Sequence, residues 1–208
     1  MCIRDRELGK WDNTLILFLT DNGACPEQPN TTPKIPPGPV ESYRTVSVGW
    51  ANASNTPYRR FKSTDYEGGT RTPFIAHWPG VIEPGMTDQV GHIIDISATF
   101  RDITGAGYPD RINGKKTKSP VGKSLLPIFR GQKREPHKEI YWHFGRANAV
   151  RQGNLTAVRQ GNSSWELYDL KADPSEMNDL AKERPKKASE LAKMWESWSR
   201  EIKSRPGK

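Results

Sequence analysis

The sequence predicts an α/β chain in two parts: a mixed-sheet α/β portion over residues 1–130, then a small antiparallel β subdomain with a terminal helix over residues 131–208. Three observations predict it. Residues 13–20, Asn-Thr-Leu-Ile-Leu-Phe-Leu-Thr, run apolar without alternation, the pattern of a strand buried on both faces of a parallel sheet. After Arg130 the texture changes to short strand candidates rich in Trp and Tyr. The chain then closes on an apolar stripe at helical spacing.

Along the chain, the first strand candidate stops at Asp21-Asn22-Gly23. Residues 26–57 hold seven prolines among Asn, Gly, Ser and Thr, which predicts a long loop with no packed element of its own. Pro73-Phe74-Ile75-Ala76-His77-Trp78 is a second short strand, ended by Pro79-Gly80. Ser97 is placed to cap a short helix through Thr104, with Gly105 as its stop. Residues 105–124 read as basic and turn-rich, and Leu125–Phe129 closes the first part.

In the second part, residues 139–144 and 165–170 are strand candidates. Between them a hexapeptide, Ala-Val-Arg-Gln-Gly-Asn, occurs at 149–154 and again at 157–162. An eight-residue offset is too short for a solenoid, so it predicts two adjacent strands with Gly-Asn turns. Pro185 is a favoured first-turn residue, and Ala188, Leu191, Trp195, Trp198 and Ile202 follow on one helical face, expected to dock on the same subdomain.

Composition narrows the function classes. The 208 residues carry a net charge of +8 and seven Trp, which describes a folded chain with a modest core. The longest aliphatic and aromatic run, Leu15–Leu19, is far below the ~20 residues a membrane-spanning helix needs. The start lacks the apolar stretch of a secretory signal. Two cysteines, Cys2 and Cys25, allow one disulfide at most and exclude a cysteine-based zinc cluster. The basic residues are dispersed, with no nucleic-acid-binding motif beside them, so a nucleic-acid partner is not expected.

Several residues have the chemistry of a site. Asp21 and Asn22 supply a carboxylate and an amide oxygen, hard donors suited to calcium or magnesium, after a strand end where ligands of α/β sheets gather. As an isolated pattern the same residues make an ordinary turn. Lys62 precedes Gly68-Gly69 by six residues, with Arg59, Arg60 and Arg71 nearby. A lysine point charge and glycines that admit close backbone approach could receive a tetrahedral anion, or could form a basic turn. Gly122-Lys123-Ser124 imitates the end of a P-loop, but Thr117 stands where the first glycine is required. The histidines, His77, His92, His137 and His143, have no paired nucleophile and read as capping or packing groups. Asn30, Asn52, Asn154 and Asn162 each open an N-glycosylation sequon.

Taken in order, the segments 13–23, 55–62 (Asn-Thr-Pro-Tyr-Arg-Arg-Phe-Lys), 66–80, His92-Ile-Ile-Asp95, 122–131, and 165–170 through Asn178-Asp-Leu180 resemble the C-terminal half of a type I sulfatase, of the arylsulfatase kind in the alkaline-phosphatase-like superfamily. The resemblance covers nearly everything after residue 7. It implies that Asp21 and Asn22 are two ligands of a calcium ion, with magnesium the lesser candidate, and that Lys62 touches the sulfate oxygens. It also implies a sulfate-ester substrate, a sulfated polysaccharide among the options, and a periplasmic or secreted location. The nucleophile of such enzymes is a formylglycine made from Cys or Ser in a Cys-x-Pro-x-Arg type motif, and neither Cys2 nor Cys25 has proline at the second following position. The expectation is therefore a truncated frame whose nucleophile lies upstream, whose first six residues are a foreign leader, and which is inactive alone. Two alternatives accompany it: a phosphodiesterase or phosphonate hydrolase of the same superfamily, and a noncatalytic binder of sulfated glycans.

Overall fold

The structure is a computed structural model and describes residues 2–27 and 34–203. The Asn30 sequon lies outside the described residues. The chain divides into two compact units: residues up to Phe18 with Phe74–His137, and Leu19–Pro73 with Lys138 onward.

In the first unit, helix α1 (Cys2–Glu7) leads to a single 3₁₀ turn, Trp11–Asn13, where the Arg6 guanidinium lies 4.5 Å from the Trp11 ring centroid. Strand β1 (Ile16–Leu19) pairs with β2 (Phe74–His77) in a two-stranded sheet. The sequence run predicted a strand buried on both faces, yet Phe18 is 62% exposed and Ile75 59% exposed. The physical reason is the size of the sheet, since two strands leave both faces open to solvent.

Helix α4 (Ile94–Thr104) begins three residues before the predicted cap, so Ser97 sits inside it and is exposed. Asp95 takes over the starting role, its carboxylate accepting the His92 N–H at 2.9 Å. Gly105 ends the helix as predicted, in the left-handed region at φ 67°. Within the basic, turn-rich residues 105–124 lies a short hairpin, β3 (Arg111–Ile112) against β4 (Lys115–Lys116). Asn113 and Gly114 at φ 49° and 76° make its turn, the pair of positive angles that Asn-Gly accommodates best. Short helix α5 (Leu126–Phe129) closes this unit, and Leu125, Leu126 and Phe129 are buried.

The second unit contains α2 (Ser47–Ser54), within the segment predicted to be loop. Only Ala51 of α2 is buried, so no apolar stripe advertised it. Then come α3 (Glu67–Thr70) and a meander of β5 (Ile140–Phe144), β6 (Ala147–Gln152), β7 (Leu155–Gln160) and β8 (Glu166–Asp169), antiparallel throughout. The hexapeptide repeat is the β6–β7 pair. Its register sets Ala149 opposite Val158 and Val150 opposite Ala157, one small and one branched side chain at each rung.

That sheet is buried on both faces. Val150, Ala157 and Leu167 point to one side, where Leu180, Ala188, Leu191 and Trp195 cover them. Ala149, Val158 and Tyr168 point to the other, against Tyr66 and Leu170. The covering helix α6 (Pro185–Lys203) starts where Pro185 predicts, and its stripe docks as expected. Trp195 Nε1–H donates to the Trp142 carbonyl at 2.9 Å, and the Trp198 ring stacks on Tyr141 at 4.9 Å. An indole seated with its N–H satisfied adds apolar burial without an orphaned donor.

Candidate functional site

The turn after β1 and the loop around Lys62 are 40 residues apart in sequence, and backbone hydrogen bonds join them. Gly23 N–H donates to the Gly69 carbonyl at 3.1 Å, and Lys62 N–H donates to the Ala24 carbonyl at 3.1 Å. Asn55, just past α2, adds two more ties: its Oδ1 accepts the Ala24 N–H at 3.1 Å and its Nδ2 donates to the Arg60 carbonyl at 2.9 Å. Thus the elements carrying Asp21, Asn22 and Lys62 are held to one another by two main-chain hydrogen bonds and the Asn55 side chain.

Glycine is mandatory at this junction. A Cβ on Gly23 would stand 1.8 Å from the Gly68 carbonyl oxygen, inside any allowed contact. The same packing decides between the two sequence readings of Gly68-Gly69, an anion site or a basic turn, in favour of the turn. Cβ atoms there would strike the carbonyl oxygens of Arg60 at 2.3 Å and Thr64 at 2.1 Å. Their own N–H groups are spent on the Arg59 and Tyr66 carbonyls, both at 2.8 Å. Carbonyl oxygens repel an anion, so these glycines serve close backbone packing, and of the pair only the Lys62 part of that reading retains a cation to offer.

The donor chemistry at the turn suits a hard cation. Asp21 is exposed, and Asn22 Nδ2 donates to the Gly23 carbonyl at 2.8 Å, which pins the amide with Oδ1 as its acceptor end. Two oxygens do not fill a calcium shell of six or more. Among the described residues no group of three or more His, Cys, Asp or Glu is arranged to hold a metal ion. Lys62 Nζ is partly buried, 3.7 Å from the exposed Glu27 carboxylate and 3.9 Å from the free thiol of Cys25.

Other charged groups in this unit make contacts that no sequence pattern announces. Arg59 Nη1 donates to the Tyr168 hydroxyl at 2.7 Å and pairs with Glu166 at 3.2 Å, while Tyr66 donates to the same carboxylate at 3.0 Å. Glu176, 1% exposed, accepts the Glu67 N–H through Oε2 at 2.8 Å. Burial pushes the Asp65 carboxyl up to about 7. Residues 165–170 and 178–180 are legible as a motif, but nothing local marks Glu176 between them as buried.

In the other unit, Asp95 is fully buried. One oxygen accepts the Lys123 N–H and meets His137 Nε2, both at 2.8 Å, and the other accepts the His92 N–H and an Arg134 N–H, both at 2.9 Å. Burial alone would raise its pKa, but these donors and the Arg134 charge outweigh it and hold the carboxyl below its ordinary value. The His92 ring takes a capping role through Nδ1, which accepts the Ile94 N–H at 3.3 Å, and His77 against Trp11 and His143 beside Trp195 pack as expected, whereas His137 is a buried hydrogen-bond partner of Asp95.

Comparison with known proteins agrees with the motif order. Residues 59–203 match the family model for the C-terminal part of N-sulphoglucosamine sulphohydrolase, and residues 6–106 match the sulfatase model. An uncharacterized sulfatase of Schizosaccharomyces pombe is 30% identical over 91% of this chain and 38% of its own length. An N-acetylgalactosamine-6-O-sulfatase of Bacteroides thetaiotaomicron is 30% identical over 89% of this chain and 36% of its own. A solved structure from work on the metabolism of multiple glycosaminoglycans by the same bacterium superposes with a TM-score of 0.69 at 26% identity, covering 97% of this chain and 41% of that one. The chain thus spans well under half the length of these relatives. With two family models matching in the expected order and this fold shared, the chain belongs to the sulfatase family.

Proposed function

We propose that these residues form part of a sulfate ester hydrolase, in which Asp21 and Asn22 are two of the ligands of a calcium ion and Lys62 contacts the sulfate. The observation that carries this reading is the pair of backbone bonds, Gly23 N–H to Gly69 and Lys62 N–H to Ala24, which hold both candidate groups in one framework. Family membership supports the reaction class. When bound, the metal would supply fixed positive charge beside the sulfate oxygens. Asp21 and Asn22 present oxygens to it; Lys62 adds an ammonium that can follow charge as it builds on the transferring group. Neither Cys2 nor Cys25 opens a Cys-x-Pro-x-Arg motif, so the formylglycine is assigned to sequence outside these 208 residues.

A sulfated sugar is the proposed substrate class, supported by the relative named for N-acetylgalactosamine 6-O-sulfate. No helix among the described residues is long and apolar enough to cross a membrane, and a periplasmic or secreted location is proposed on family grounds. The test is to read the coding sequence upstream of Glu7, express the complete protein, and compare turnover of an aryl sulfate with an aryl phosphonate. The expected result is an upstream Cys-x-Pro-x-Arg or Ser equivalent, preference for the sulfate, and a loss of about 10²–10³ in kcat/KM for Lys62→Ala. Preference for the phosphonate, or full activity in Lys62→Ala, would overturn it.

A further inference from the structure

The segment that backs the Asp21–Ala24 turn is itself anchored from far along the chain. Helix α3 has no side-chain cap of its own at Tyr66. Its first N–H, that of Glu67, is instead bound by the Glu176 carboxyl, 109 residues away. Glu176 is suited to hold it: its backbone is fixed in the left-handed region at φ 56°, in a turn tightened by Asp173, whose carboxylate accepts the Met177 and Asn178 N–H groups, both at 2.7 Å. Arg59 ties the same turn from the other side. Its Nη1 reaches the Glu176 carbonyl at 3.3 Å while its own carbonyl accepts the Gly68 N–H at 2.8 Å. The far end of α3 then offers the Gly69 carbonyl to Gly23.

We infer that Glu176 is a positioning residue: its carboxyl seats the first turn of α3, and α3 through the Gly69 carbonyl sets the turn that presents Asp21 and Asn22. The anchor follows from the hydrogen bonds alone; its consequence for a metal ion rests on the function proposed above. Glu176 does this as a neutral acid. Burial pushes its carboxyl up to about 8; the Glu67 N–H lowers it, the Glu67 charge raises it, Arg59 lowers it and Glu166 raises it. A protonated carboxyl keeps an oxygen that accepts the Glu67 N–H. Glutamine has the same shape and keeps the same acceptor.

Amide hydrogen exchange on the full 208-residue chain tests the anchor. At about pH 6, Glu176→Ala should speed exchange of the Glu67 and Gly23 amides by roughly tenfold or more, with β6 and β7 amides within about threefold of the parent. Glu176→Gln should stay within about threefold at every one of these positions. In the parent chain, protection at Gly23 should fall as pH rises through about 8, and in Glu176→Gln it should not. Unchanged Gly23 exchange in Glu176→Ala, equal acceleration in β6 and β7, or a glutamine variant as fast as alanine would overturn the inference. Should Glu176→Ala not fold, Glu176→Asp, which draws the carboxyl back by one methylene, is read at the same amides in its place and should speed Glu67 and Gly23 exchange while β6 and β7 stay near the parent. Calcium titration of the complete protein, read as calcium-dependent sulfatase turnover in the parent and in Asp21→Ala, keeps the two readings apart: unchanged calcium dependence in Asp21→Ala refutes the metal assignment while the exchange result on the 208-residue chain still judges the anchor.

Discussion

Asp95→Asn should be among the most damaging conservative changes in this chain. The two carboxylate oxygens each face two donors, Lys123 N–H and His137 on one, His92 N–H and Arg134 on the other. An asparagine amide must turn its own N–H₂ toward one of those pairs in either rotamer, so one backbone N–H is orphaned whichever way it sits. It also strips the charge from a pair in which Arg134 is 4% and Asp95 0% exposed. Breaking a buried pair by removing one partner costs about 3–5 kcal/mol. At a urea slope of ~2 kcal/mol/M for a chain of this size, the midpoint should fall by roughly 2 M. The pH dependence has a definite sign. Because the folded-state pKa is held below the ordinary value, the stabilisation is present above the unfolded pKa of about 3.9 and is lost as pH falls through the folded value. Urea unfolding from about pH 7 down to 3 checks both features, and Asp95→Asn should lack the part of the acid-side loss that Asp95 contributes. A cost under about 1 kcal/mol, or an acid limb identical to the parent's, would refute the reasoning.

Further outcomes follow from the same structure. Asp65, raised to about 7 by burial, acts with the opposite sign: its neutral form is favoured in the fold, so stability is fully present below about pH 3.9 and declines as pH rises to the folded value. Asp65→Asn should therefore stabilise at about pH 8 by a few kcal/mol and leave stability at about pH 4 unchanged, checked by urea titration at both. Gly23→Ala should separate the Asp21 turn from α3, since its Cβ would meet the Gly68 carbonyl, and NMR should show shift changes at Gly23, Lys62 and Gly69 with β6–β7 resonances in place. Leu191→Ala, at a fully buried position under the sheet, should cost about 2–5 kcal/mol, read as a fall in thermal midpoint. Replacing the exposed Phe18 and Ile75 of the β1–β2 sheet with Ser and Thr should raise soluble yield, measured after centrifugation of matched lysates.

Legibility in the sequence divided along a physical line. The hexapeptide repeat announced β6 and β7, and the 3-4 spacing from Ala188 to Trp198 announced α6, because each is a local pattern that one buried face imposes on its own segment. The motif order was enough for the family, and the match of residues 59–203 agrees with it. Helix α2 leaves no apolar stripe because it buries only Ala51, and the β3–β4 hairpin leaves no alternation because its strands are two residues each and fully exposed. Ser97 does not cap α4 because the helix already starts at Ile94, where Asp95, two residues before Ser97, ties the chain back to the His92 N–H.

By itself, then, the sequence determined the elements whose buried face repeats along the chain, and the residue types a hard cation and an anion would need at Asp21, Asn22 and Lys62. Tertiary structure alone decided which polar groups are buried and what they hold. Whether Gly68-Gly69 cradle an anion or admit a neighbouring backbone depends on carbonyls at Arg60 and Thr64 arriving within contact distance. Whether Glu176 is a surface acid or an anchor depends on a partner 109 residues away. Such contacts leave no periodicity behind, because a hydrogen bond across the fold constrains two positions and nothing between them.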